Sequence, residues 1–365
     1  MDYRQTEIVL SARDVVIKFT LRGKTLTAIR GVSLDLYKGE SLAIVGESGS
    51  GKSVFTKSFM GMLDANGWVD SGEILYEGKN IARYKTEKEW LEIRGKEIAM
   101  VFQDPMTSLN PLKTVGLQIR ETVELHRKTA NAALTVSALK ASETKAIALE
   151  ILRDVGITEP ERRYNQYPHE LSGGMRQRVV IAVAVACRPN VLICDEPTTA
   201  LDVTIQAQIL ALLRRLQEKY RLTIVYITHD LGVVANVADR IAVMYAGDVV
   251  ECGACDEIFY DPQHPYTWAL LSSLPQLGVK GEPLFAIRGA PPSLYKEIRG
   301  DAFAPRNPYA LLIDFEERPP WFEVSPTHKA RTWLLDPRAP RVTPPPLIAR
   351  IRERRERREA ADDAR

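Results

Sequence analysis

The chain has 365 residues, of which 45% are hydrophobic and 26% charged, and 49 Lys and Arg against 47 Asp and Glu leave a net charge of +2. These values belong to a soluble globular protein and exclude wholesale disorder, a collagen or a small disulfide scaffold, and the even charge balance lends no support to nucleic-acid binding. The longest apolar run, Val179 to Cys187, is nine residues, against the ~18 a membrane span needs. Met1 to Arg13 mixes charges with short apolar stretches and has no signal-peptide core, so a cytosolic location is expected. The four cysteines (Cys187, Cys194, Cys252, Cys255) fit a reducing compartment.

Taken in order, Ile8 to Phe19 and Thr25 to Leu36 contain Val- and Ile-rich strand-like stretches on either side of the turn Arg22-Gly23-Lys24. Ser41 to Val45 is a short apolar run that predicts a buried strand, followed by a Gly-rich loop and a helix from near Lys52. Glu87 to Arg94 and Leu117 to Ile157 are mainly helical in character, the second with a polar stretch at Arg127 to Ala132. Val191 to Cys194 and Thr223 to Ile227 are two more buried-strand runs, each after a helical stretch, and that alternation predicts a parallel α/β sheet. Ile241 to Glu251 predicts a hairpin about Gly247-Asp248. Sixteen of the 22 prolines lie at or after Pro262, which places a compositional boundary near 260 with an irregular, loop-rich segment beyond it. No internal repeat is present.

The loop Gly46-Glu47-Ser48-Gly49-Ser50-Gly51-Lys52-Ser53 matches the P-loop pattern in full, in its required strand-then-helix setting. Its glycines let backbone N–H groups close around phosphate oxygens at a helix N-terminus. Lys52 is placed to bridge the β- and γ-phosphates of ATP and Ser53 to ligate Mg²⁺. Val191 to Glu196 is an apolar strand ending in two carboxylates: Asp195 is placed to hold Mg²⁺ and Glu196 to polarise the attacking water. Leu171-Ser172-Gly173-Gly174 opens a further helix as a second anion-binding N-terminus, which suggests a second ATP held between two chains.

These residues resemble the ATP-binding-cassette (ABC) family, and its other markers follow in order. Gln103 in Val101-Phe102-Gln103-Asp104-Pro105 matches the glutamine loop, a further contact to Mg²⁺ and the reacting centre. Thr199-Ala200-Leu201-Asp202 matches the loop that crosses the dimer, and His229 the switch histidine. Phe19 matches the aromatic that stacks on adenine, and Val54 completes the nucleotide loop. The resemblance implies a P-loop ABC ATPase cassette: a RecA-like α/β core, an antiparallel β subdomain and a helical signature subdomain near 100–175. It implies a head-to-tail dimer in which Leu171, Ser172, Gly173, Gly174 and Gln177 of one chain meet ATP held by the other, with Glu196, His229 and Gln103 as the catalytic set.

Finer wording narrows the branch. The loop through Val54, then Phe102-Gln103-Asp104-Pro105-Met106-Thr107-Ser108-Leu109-Asn110-Pro111, Tyr167-Pro168-His169-Glu170 and His264-Pro265-Tyr266-Thr267 resemble the oligopeptide/dipeptide importer ATPases. Val54 and Met106 favour the D-type subunit of the two paired ATPases. His264 to Thr267 reads as a linker-helix cap without chemistry. This resemblance implies a sister ATPase, two transmembrane permeases and an extracytoplasmic peptide-binding protein as partners, no nucleic acid, and a peripheral place on the cytoplasmic face of the membrane. The loop from Gln103 to Pro111 is the candidate permease contact. Dipeptides, nickel or another small solute remain alternative cargoes. A non-transport ATPase acting on nucleic acid or a ribosome is the alternative of another class.

The cassette is expected over residues 1–261, an accessory region over 262–346 and a charged tail over 347–365. Ile287-Arg288-Gly289-Ala290-Pro291-Pro292 and the wording from Gly300 to Ala310 resemble the importers' C-terminal region, in the oligopeptide branch of some Gram-positive bacteria. Many members carry cysteines there that could bind an iron–sulfur cluster. This chain has Asp301, Asn307, Asp314 and Thr332 instead, so no cluster is expected. Cys252-Gly253-Ala254-Cys255 lacks the second pair a zinc site needs and reads as a turn after the hairpin. Arg350 to Arg365 holds seven arginines and five acids, a solvated helix or disordered end.

Overall fold

Two long strands begin a small sheet. β1 (Ile8–Leu21) and β2 (Lys24–Tyr37) pair antiparallel, with Leu21 opposite Lys24 across the turn. Val15, Ile17 and Phe19 alternate inward along β1, the period of a strand with one dry face. β3 (Ser41–Val45), α1 (Lys52–Ser58), β4 (Gly67–Tyr76) and β5 (Lys79–Asn80) follow. β4 returns to β1, completing an antiparallel sheet in the order β2-β1-β4-β5. The structure is a computed structural model describing residues 7–130, 141–198, 201–274 and 287–353. Thr199 and Ala200 of the expected dimer loop, part of the polar stretch before residue 133, and the tail beyond 353 lie outside the described residues.

The chain continues through α2 (Glu87–Leu91), β6 (Ile98–Val101), α3 (Pro105–Ser108), α4 (Val115–Ala130), α5 (Ala141–Asp154), α6 (Pro160–Tyr164) and α7 (Gly173–Val185). The helices after β6 form a subdomain in which Val115, Ile119 and Val123 of α4 share a buried cluster with Ala148, Ile151 and Leu152 of α5. That three- and four-residue spacing is one apolar helix face. β7 (Val191–Asp195), α8 (Val203–Tyr220), β8 (Thr223–Thr228), α9 (Leu231–Val234), β9 (Arg240–Tyr245) and β10 (Asp248–Ala254) complete the cassette core. Beyond it lie α10 (Cys255–Tyr260), α11 (Pro265–Ser272), α12 (Leu312–Glu316), β11 (Phe322–Glu323), β12 (Lys329–Ala330) and a closing helix, α13, at 346–353.

The main sheet runs β11-β12-β10-β9-β3-β8-β7-β6. β9, β3, β8, β7 and β6 are parallel, and β10, β12 and β11 add an antiparallel edge. Every residue of β3, β7 and β8 is buried, as strands covered on both faces require. Leu42 and Ile44 enter one core cluster, and Ala43 and Val45 the other. The register brings the strand ends level: Val45 lies opposite Thr228 and Val243, Asp195 opposite Ile227, and Val101 opposite Cys194. The loops after β3, β7, β8 and β6 therefore leave from one edge, where α/β sheets place their ligands.

The Pro-rich segment is irregular, as its composition predicts, yet among the described residues it has no core of its own. Phe303, Ile348 and Ile351 belong to the same buried cluster as Val243 and Tyr245 of β9 and Tyr266 of α11. Buried Asp248 staples the segment to β10, accepting from Arg318 at 2.6 and 2.9 Å and from Arg331 at 3.2 and 3.3 Å. Asp301, Asn307, Asp314 and Thr332 are buried and tie local turns. Their side chains accept backbone N–H groups of Phe303 (2.9 Å), Tyr309 (2.9 Å), Leu311 (2.7 Å) and Leu334 (3.3 Å).

Two expectations need correction. The Cys252 to Cys255 stretch is not a turn: Cys252 lies within β10 and Cys255 begins α10. The charged tail does not begin as a solvated helix. Ile348 and Ile351 bury one side of α13, and Arg352 pairs with Asp261 at 2.9 Å and donates to the Pro262 carbonyl at 2.7 Å.

Candidate active site

The P-loop turns sharply off β3. Gly46 adopts φ +155°, and a Cβ there would lie 2.0 Å from the Met244 carbonyl oxygen, so no side chain fits. α1 begins at Lys52, whose Nζ donates to the carbonyls of Gly46 (2.7 Å) and Glu47 (2.9 Å). Burial pulls the Lys52 ammonium below its ordinary pKa, opposed by the negative charges of Glu196, Asp195 and Glu47. The next residue, Ser53, donates from Oγ to Asp195 Oδ1 at 2.9 Å. Burial raises the Asp195 carboxyl, with the Ser53 hydrogen bond acting against it.

Glu196 follows immediately after β7 with φ +47°, a left-handed conformation costly for a residue with a side chain. Its backbone N–H donates to the Ile227 carbonyl at 2.9 Å, which helps to hold that turn. Both carboxylate oxygens are engaged: Gln103 Nε2 donates to Oε2 at 2.8 Å, and His229 Nδ1 lies 3.0 Å from Oε1. Three loops from three strand ends thus converge on one carboxylate. Gln103 and His229 are exposed, whereas the Glu196 side chain is largely covered.

These groups border a cleft of about 440 Å³ whose lining includes Phe19, Ser48, Lys52, Gln103, Glu196 and Leu294. Phe19 reaches this cleft while remaining mostly buried in the core beneath the small sheet. Ser50 is buried, and Gly49, Gly51 and Val54 are further lining residues.

Ser172 caps α7, its Oγ accepting from Met175 N at 3.4 Å, and it is exposed at the helix start with Gly173 and Gly174 beside it. None of the three lines the cleft. Leu171 is buried. Gln177, expected to meet a second ATP with them, is corrected by the structure: it is 2% exposed, on the inner face of α7. Asp202 caps α8 by accepting from Ile205 N at 3.0 Å, and Leu201 precedes it.

Three contributors to this site were not anticipated. Leu294 reaches the cleft from the C-terminal segment, and its carbonyl accepts from Thr27 N at 3.2 Å. The Tyr266 hydroxyl accepts the Glu47 backbone N–H at 2.8 Å, a role beyond the helix cap that its motif predicts. Arg306 holds the Glu47 carboxylate from 259 residues away. No local pattern announces Leu294 or Arg306, because their partners are distant in sequence. His264 does cap α11, its Nδ1 accepting from Tyr266 N at 3.0 Å.

Comparison with known proteins places this geometry in a family. The ABC transporter family model matches residues 29–199, and the model for the C-terminal region of oligopeptide/dipeptide transporters matches 250–312. The oligopeptide transport ATP-binding protein AmiE of Streptococcus pneumoniae is 56% identical over 96% of both chains. The oligopeptide transport ATP-binding protein OppD of Bacillus subtilis is 56% identical over 93% of this chain and 92% of its own. The dipeptide transport ATP-binding protein DppD of Lactococcus lactis is 55% identical over 93% and 94%. Among solved structures, the dimeric bacterial ABC transporter cassette MJ0796 superposes with a TM-score of 0.58 at 29% identity, covering 67% of this chain and 98% of that one. A second structure of MJ0796, bound to ADP and Pi after hydrolysis, matches with the same TM-score at 28% identity and the same coverage. The chain therefore belongs to the ABC transporter family of ATPases, as an ATP-binding subunit of the oligopeptide/dipeptide branch.

Proposed function

We propose that the chain hydrolyses ATP to drive oligopeptide import, as one of two cassettes beneath a pair of permeases on the cytoplasmic side of the membrane. The observation that carries the reading is the Glu196 carboxylate held between Gln103 and His229, beside the Ser53–Asp195 pair and the P-loop. Backbone N–H groups of the loop after Glu47 cradle the phosphates, and Lys52 exchanges its carbonyl partners for phosphate oxygens. Glu196 orients water and accepts its proton, while Gln103 and His229 hold the carboxylate and contact the reacting centre. The catalytic gain is positioning and charge stabilisation. Phe19 offers an apolar surface for the base.

Ser53 and Asp195 supply adjacent oxygen donors, which suit a hard cation such as Mg²⁺, with Gln103 near enough to Glu196 to complete the set. Bound Mg²⁺ would neutralise charge on the phosphate oxygens. Exposed Ser172 and half-buried Gly173 and Gly174 form a helix start away from their own chain's cleft, which supports their use on ATP held by a partner cassette. The dimeric MJ0796 structure supports the same arrangement, with Leu201 and Asp202, and the neighbouring Ala200, at the crossing. Val203, 81% exposed, lies on that face. Leu112, 85% exposed just past the Gln103 to Pro111 loop, supports a permease contact there. Among the described residues no helix is long and apolar enough to cross a membrane, so the membrane path is assigned to separate permease chains, fed by an extracytoplasmic peptide-binding protein.

The test is reconstitution of the complex in proteoliposomes with a labelled peptide series. ATP-dependent uptake that disappears in Lys52→Ala supports the reading. Failure to associate with permeases, together with ATPase activity stimulated by ribosomes or DNA, contradicts it. The DppD relatives favour dipeptides as a second cargo, and competition between dipeptides and longer peptides separates the two.

A further inference from the structure

Glu47 puts a carboxylate inside a loop that wraps polyphosphate. A carboxylate there repels the ligand unless its charge is met. In this chain it is met from the C-terminal segment. Arg306 donates through Nη1 to Glu47 Oε2 at 2.8 Å and through Nη2 to Oε1 at 3.1 Å, a two-pronged pair. The remaining donors of the guanidinium are also engaged. Nε binds the Arg288 carbonyl at 2.9 Å, Nη2 the Ile287 carbonyl at 3.4 Å, and Nη1 the Tyr245 hydroxyl at 3.1 Å. The Arg306 side chain is 6% exposed and that of Glu47 25%, so solvent screens the pair only in part.

The grip on Glu47 is threefold. Its carboxylate is held by Arg306, its backbone N–H by the Tyr266 hydroxyl, and its carbonyl by Lys52. Tyr245, Tyr266 and Phe303 stack behind these contacts with ring centroids 4.5 to 5.4 Å apart. Arg306 immediately follows this cluster in the 3₁₀ turn Ala304–Arg306, so its direction is set by packing.

We propose that Arg306 is a positioning residue of the nucleotide site: it cancels the Glu47 charge and fixes the P-loop in its phosphate-binding shape, making the C-terminal segment a working part of ATP binding. The proposal rests on the P-loop being the ATP site, as argued above. It gives the segment a task on its own cassette. Loosening Arg306 leaves Glu47 an uncompensated anion whose charge acts on Lys52, next to the cleft-lining Ser48, so any event that shifts this segment is read as a change in ATP affinity.

The experiment is titration of the full chain with methylanthraniloyl-ATP, with ATPase kinetics alongside and melting temperature as the folding control. R306Q weakens binding about tenfold, the size of one partly screened charge near the ligand, and raises KM with little change in kcat. R306K keeps the charge but loses the two-pronged geometry, so its loss is smaller than that of R306Q. E47Q placed on R306Q removes the stranded carboxylate and restores binding to within about threefold. Unchanged binding in R306Q, a tenfold loss in R306K, or no recovery in the double variant each overturns the proposal, the last by showing that packing alone was lost. Should R306Q fail to fold, R306K decides by itself: a partial loss supports the proposal, and wild-type binding or a tenfold loss overturns it. K52A separates the two levels: if it binds as wild type, the ATP-site reading falls. If it loses binding while R306Q does not, only the role of Arg306 falls.

Discussion

Replacing Phe303 by alanine tests whether the C-terminal segment and the cassette share one cooperative core. Phe303 is 1% exposed, with ring centroids 5.4 Å from Tyr245, 5.3 Å from Tyr266 and 6.2 Å from His264. It thus touches β9 of the cassette and α11 at once. Truncating such a buried aromatic costs about 3–5 kcal/mol, the lost transfer energy plus the cavity left behind. Unfolding entropy of about 2.1 cal/mol/K per residue gives roughly 0.77 kcal/mol/K for 365 residues. A loss of about 4 kcal/mol therefore lowers Tm by about 5 °C. Scanning calorimetry of the full chain reads this directly, and the main transition moves as a whole. A main transition that stays in place while a small separate one shifts would refute the shared core.

Gly46→Ala drives a Cβ to 2.0 Å from the Met244 carbonyl, so the loop is displaced and ATP affinity falls at least about a hundredfold by equilibrium dialysis; wild-type affinity contradicts the stated loop geometry. His328 gives a pH signature. Burial acts to lower its pKa, but the hydrogen bond and charge of Glu251, with the charges of Glu257 and Asp261, prevail and hold it above the ordinary 6.5. The stabilisation is fully present below that ordinary value and is lost as pH rises through the raised one. The Tm advantage of wild type over His328→Asn accordingly shrinks as pH rises above 6.5 through the raised value; an advantage that holds constant or grows contradicts this reading of the Glu251–His328 pair.

Much of the site is legible because its determinants are local. A buried strand, a Gly-rich loop and a helix start at Ser41 to Ser53 specify the phosphate cradle by themselves. The carboxylates Asp195 and Glu196 end a strand whose neighbours carry Gln103 and His229 to the same edge. The hairpin about Gly247 is equally local. What could not be read depends on packing over long separations. Arg306 meets Glu47, and Leu294 enters the cleft, without any neighbouring residue that signals it. Proline content predicts irregular backbone after 262 but says nothing of Phe303 packing against both Tyr245 and Tyr266. Gln177 follows the signature in sequence, yet the turn of α7 carries it inward. In the charged tail, Ile348 and Ile351 three residues apart mark a buried stripe that the arginine-rich composition hides.

The central claim is that ATP bound at the P-loop is hydrolysed through Glu196. Glu196→Gln keeps the size of the side chain and its contacts with Gln103 and His229 but removes the proton acceptor. The measurement is binding of radiolabelled ATP and single-turnover hydrolysis by the same preparation, within the transporter complex. The account predicts ATP retained with near wild-type affinity and hydrolysis slowed by at least about a hundredfold, the scale of a lost general base. Wild-type turnover in that variant would contradict it.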